Sequence, residues 1–122
     1  MERPRTNTPL QALVTLNDPQ FTEASRNLAQ RIIKEGGKSP KERAEYAYRL
    51  VTSRKPKPII LQILTSAYNE EHANFSKNTE AANKLLAIGE SKRDESINAA
   101  EHAAWTIVAS MLLNLDEVIT RL

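Results

Sequence analysis

Few side chains in this sequence could do chemistry alone. His72 and His102 are its two histidines. On facing helices they could ligate a b-type haem through their ring nitrogens. Covalent attachment would need a Cys-x-x-Cys-His run, and there is no cysteine. Each histidine follows a glutamate, Glu71 and Glu101, which fits a partly solvated surface position. Neither is assigned as a ligand. A di-iron bundle needs a carboxylate three residues before a ligating histidine, where this chain has Asn69 and Ala99. Zinc-protease spacing, with two histidines four residues apart, is absent, as is the Gly-x-Ser-x-Gly elbow of a hydrolase. Glu70 and Glu71 are adjacent, so on a helix they diverge by about 100° and cannot share a substrate. They are expected to form a solvated face. No catalytic centre is recognisable, and no cofactor or metal is assigned.

The polar residues that capping does not explain lie in two stretches. The first is Arg3-Pro4-Arg5-Thr6-Asn7-Thr8-Pro9-Leu10-Gln11-Ala12-Leu13, and the second follows Ala104-Trp105 and runs through Asn114-Leu115-Asp116-Glu117. Thr8, Asn17 and Asp18 suit helix ends, where side-chain oxygens accept from free amides. Arg5, Asn7, Gln11, Asn114 and Asp116 are left for an interface or a buried polar network.

Charge is distributed unevenly. Residues 1–60 hold 12 Lys/Arg against 6 Asp/Glu, and residues 61–122 hold 5 against 9. Such asymmetry suits attraction between the two halves, or toward a neighbouring domain. Dispersed basic residues without interleaved aromatics argue against a nucleic-acid face. The longest apolar run, residues 103–113, is broken by Thr106 and Ser110. It is shorter than the roughly 20 apolar residues needed to span a bilayer.

The elements that must position these residues are helices. Thr8-Pro9 predicts a short helix to about Leu16. Asn17-Asp18-Pro19 opens a second to about Glu35, with Phe21, Ala24, Leu28, Ile32 and Ile33 as its apolar face. Gly36-Gly37 supplies positive-φ residues that stop it. Ser39-Pro40-Lys41-Glu42 reads as a capping box, opening a helix lined by Ala44, Ala47, Tyr48 and Val51. A basic loop, residues 53–57, precedes a helix that Pro58 begins. There Ile59, Ile60, Ile63, Leu64, Ala67, Tyr68 and Phe75 recur at helical spacing. Asn78-Thr79 starts the next, with Ala82, Leu85, Leu86 and Ile88 apolar and Gly89 closing it. Asp94 is placed as the cap of the last helix, which is apolar nearly all round between residues 103 and 113 and so belongs at the centre. The 34-residue period of tetratricopeptide repeats is not sustained. The expected fold is all-α: one compact domain over residues 1–122, bundle-like or orthogonal, of five or six helices, with a buried C-terminal helix.

Three stretches carry a family resemblance. Thr6-Asn7-Thr8-Pro9-Leu10-Gln11-Ala12-Leu13 with Leu16-Asn17-Asp18-Pro19-Gln20-Phe21 resembles the opening of the C-terminal domain of large planctomycete proteins of unknown function. Ala104-Trp105 with Leu112-Leu113-Asn114-Leu115-Asp116-Glu117 through Arg121 resembles that domain's end. Leu50-Val51-Thr52-Ser53-Arg54-Lys55-Pro56 resembles its short basic-proline turn. The resemblance implies the C-terminal piece of a longer, exported protein, in which the partner is the upstream domain. In such proteins a cytochrome-c-type haem domain or a lectin-like domain is often present. It transfers no catalytic residue. The function expected is a non-catalytic docking or structural module. The competing reading is a contribution to the active-site cleft of a parent hydrolase or oxidoreductase.

Overall fold

The computed structural model describes residues 19–89 and 92–121, with side chains described through 114. The helix expected over residues 9–16 lies outside the described residues. Five helices make up the described fold: α1 (Pro19–Glu35), α2 (Pro40–Thr52), α3 (Pro58–Lys77), α4 (Thr79–Leu86) and α5 (Ala99–Arg121).

Local chemistry sets most boundaries. At α2 the Ser39 hydroxyl accepts from the Glu42 amide (3.1 Å), and the Glu42 carboxylate accepts from the Ser39 amide (3.1 Å). This completes the capping box, with Pro40 in the first turn where no amide partner is required. Asn78 separates α3 from α4, and its side-chain oxygen accepts from the Ala81 amide at 3.1 Å. Of the two glycines after α1, only Gly37 takes a positive φ, of 105°. Gly36 answers to crowding instead, because a Cβ there would meet the Ile32 carbonyl oxygen at 2.6 Å. Asp94 does not cap α5. It holds the preceding turn, accepting from the amide and hydroxyl of Ser96. Asn98 does the capping, accepting from the Glu101 amide at 3.0 Å. The physical reason is spacing: an N-cap side chain reaches amides two or three residues ahead, and Asp94 stands too far before Ala99.

The other helices surround α5. Every residue from His102 to Ser110 is buried, as continuous apolarity around a helix requires. One core joins Ala29, Ile32, Ala44, Ala47, Leu64, Tyr68, Trp105, Val108 and Leu112, and a second, smaller one joins Ala82, Leu85, Leu86, Ala103 and Ile107. α1 runs antiparallel to α5, since Lys34 pairs with Asp94 while the Arg26 carbonyl meets His102. α3 is antiparallel to α5 as well: Tyr68 stacks on Trp105 at 4.5 Å between ring centroids, and His72 and Ser76 lie beside Asn98 and Ala100.

Two apolar faces differ from expectation. On α1 the buried set is Thr22, Ser25, Arg26, Ala29 and Ile32, while Ala24 is exposed and Leu28 and Ile33 flank it. Small and hydroxyl-bearing residues allow α1 to lie close against α5. On α3, Ile59 and Ile63 are 57% and 48% exposed. The buried residues of α3 are instead Leu64, Ala67, Tyr68 and Glu71.

Candidate functional site

The polar interior lies between α1, α4 and α5. His102, Thr106 and Ser110 recur every four residues and so share one stripe of α5. All three are fully buried, and across from them α1 presents buried Thr22, Ser25 and Arg26. The hydroxyls satisfy themselves on their own helices. Ser25 donates to the Phe21 carbonyl (3.0 Å), Thr106 to the His102 carbonyl (2.7 Å) and Ser110 to the Ile107 carbonyl (2.6 Å).

Arg26 is the centre of this seam, although only 1% of it is exposed. Its Nη1 donates to the carbonyls of Leu86 (2.9 Å) and Ile88 (3.2 Å), at and just beyond the C-terminal end of α4. Those carbonyls have no partner within the helix, and the helix dipole makes that end negative, so a guanidinium suits it twice over. Glu23, one turn before Arg26 on α1, lies 3.7 Å from its Nη2. The Arg26 carbonyl in turn accepts from His102 Nε2 at 3.1 Å. This bond places the ring proton on Nε2 and leaves Nδ1 as a buried nitrogen without a partner among the described residues. Burial pushes the His102 pKa below its usual value, outweighing the opposing hydrogen bond to the Arg26 carbonyl, and the positive charges of Arg93 and Arg26 add to the lowering. His102 is therefore a neutral interior side chain, not the partly solvated residue its sequence neighbour Glu101 suggested; Trp105, Thr106 and Val108 continue the buried row around it.

Glu71 also departs from expectation. It is 2% exposed rather than solvated, and its Oε2 has no partner among the described residues. Burial, with repulsion from Glu70, raises its pKa despite an opposing hydrogen bond to Asn74. Glu70 on the next helical position is exposed. The two carboxylates diverge as helix geometry requires, and one of them turns inward. The indole Nε1 of Trp105 is a further buried group without a partner among the described residues.

The halves of opposite charge are joined across the fold. Arg43 of α2 pairs with Glu101 of α5 at 2.9 Å, and Lys34 of α1 pairs with Asp94. A groove of about 810 Å³ runs between α2 and α3 and is lined by Lys41, Glu45, Lys55, Pro56, Leu61 and Thr65 among others. Lysine and glutamate mix there, so the groove selects neither anion nor cation. His102 and Glu71, whose ionisation burial displaces, lie in the interior and not on its walls.

Of the interface candidates, Arg5, Asn7 and Gln11 lie outside the described residues, as does the side chain of Asp116. Asn114 is half-buried on α5 and donates its amide to the Ser110 carbonyl at 3.1 Å. Sequence reasoning missed Arg26. The available signal was the Thr22, Ser25, Arg26 row, a polar stripe at helical spacing opposite the equally polar His102, Thr106, Ser110 row.

Fold and seam together define an all-α domain whose interior polar groups brace helix against helix. A family model described as "PSD1: Protein of unknown function (DUF1553)" matches residues 1–68. The chain belongs to that family. The match includes the Thr6–Phe21 opening and the basic-proline turn, and it ends before the closing stretch of α5. No curated protein and no solved structure matches the chain.

Proposed function

We propose that this domain is a non-catalytic docking and structural module of a larger, exported multidomain protein. Its partner is the upstream domain of the same polypeptide, in a protein of the planctomycete type in which a cytochrome-c-type domain can also be present. The observation that carries this reading is the use made of the two most chemically capable interior side chains. Arg26 and His102 are committed to main-chain carbonyl contacts between helices, which makes them braces. Two placements support the choice of docking surface. Pro19 opens α1 near the middle of α5, because the two helices are antiparallel. The stretch containing Arg5, Asn7 and Gln11 precedes α1 in the chain, and Asn114 and Asp116 lie in the last turns of α5. On this reading the two stretches together are what an upstream domain meets.

The test is a titration of this domain against the separately expressed upstream part of its parent protein. Tight association is expected, weakened about tenfold or more by Arg5→Ala or Asp116→Ala, as for charged groups at the centre of an interface. Absence of association, or association indifferent to both substitutions, contradicts the reading.

A further inference from the structure

The groove between α2 and α3 combines stiff apolar walls with a one-sided charge around it. Pro40 and Pro58 open the two helices, Pro56 is the buried residue of the loop between them, and Leu61 joins them in the lining. Proline has a fixed φ and no amide, so these walls hold one shape and offer few backbone donors. The loop itself is tied down. The Ser53 amide donates to the Arg49 carbonyl (2.8 Å), and the Arg54 amide donates to the Thr52 hydroxyl (3.2 Å). An occupant therefore meets a groove already formed.

The charge is set by the sequence around it. Residues 46–69 hold four Lys/Arg and no Asp/Glu. All four, Arg49, Arg54, Lys55 and Lys57, are exposed, and Lys41 is exposed on the α2 side. The nearby carboxylates are already engaged: Glu42 accepts from the amides of Lys38 and Ser39, and Glu45 lies 3.9 Å from Arg49. Among the described residues, no ion pair engages Lys41, Arg54, Lys55 or Lys57. Lysine and glutamate balance within the groove, so selection by charge falls to the positive surface beside it.

We propose that this groove docks an extended acidic segment of a partner protein. An aliphatic side chain of that segment enters among Pro56, Pro58 and Leu61, and its carboxylates meet Lys41, Lys55 and the basic loop. Charge complementarity sets the sign of the partner. The lining selects a peptide over a nucleic acid, because residues 49–67 contain no aromatic ring on which a base could stack. The groove shares no residue with the two chain-end stretches of the docking reading, so each can fail without the other.

Fluorescence anisotropy of labelled peptides titrated with the whole chain tests this. The probes are Glu-Leu-Glu-Glu-Leu-Glu and its leucine-to-serine counterpart of equal charge. The leucine peptide is expected to bind about tenfold or more tightly, and to weaken as salt is raised. Lys41→Glu/Lys55→Glu, at two exposed positions, should cost about tenfold, whereas Lys84→Glu on α4 leaves affinity within about twofold. Thr65→Trp, which fills the groove without changing charge, should abolish the difference between the two peptides. Equal binding of both peptides by the unaltered chain would reveal a charged patch without a groove and overturn the proposal. So would no binding of the leucine peptide, or tighter binding of a single-stranded oligonucleotide or of anionic phospholipid vesicles.

Discussion

His102 and Glu71 are the residues whose burial has a measurable consequence, and they act in opposite senses. The folded pKa of His102 lies below the unfolded 6.5, so the unfolded chain binds the extra proton first. Its contribution is complete above 6.5 and is lost as pH falls through the lower folded value. Replacing it by Gln, which can still donate to the Arg26 carbonyl, is expected to flatten the decline in urea midpoint between about pH 7.5 and 5. An unchanged slope would mean the ring titrates normally. Glu71 is raised above 4.5, so its favourable contribution is present below that value and lost as pH rises through the folded pKa. Glu71→Gln should therefore stabilise the domain at neutral pH, with the gain shrinking toward pH 4. Thermal melts at the two pH values read this directly. Neither burial was legible beforehand. A glutamate before each histidine suggested solvent, but which side of a helix is covered depends on the neighbours, and these are long-range facts.

Among the elements, the boundaries that rest on local chemistry were readable. Ser39-Pro40-Lys41-Glu42 and Asn78-Thr79 start helices because their side chains reach amides within three residues. Ser39→Ala is expected to cost about 1 kcal/mol, a fall of roughly 4 °C in Tm for a domain of this size. The apolar rows were harder. Ile59 and Ile63 have core spacing yet are exposed, and Ala24 lies outside while Arg26 lies inside. A charged side chain at a core position becomes intelligible only once the end of α4 is seen to offer it two carbonyls. Arg26→Met keeps much of the volume and removes the donors, leaving the end of α4 unsatisfied. A loss of about 3 kcal/mol is expected, with amide exchange in α4 accelerated before that in α3.

For the whole molecule, the central position of α5 was readable from its all-round apolarity, and the charge imbalance resolves into ion pairs between the halves. Docking is proposed for the stretches at the two ends of the chain, residues 5–11 and 114–121. Hydrogen exchange of the isolated chain compared with the same residues inside its intact parent protein tests that most directly. A docking module gains protection at residues 5–11 and 114–121 in the parent while the α1, α4 and α5 interior stays unchanged. Identical exchange in both forms at those two stretches would contradict docking and leave the domain an independent unit.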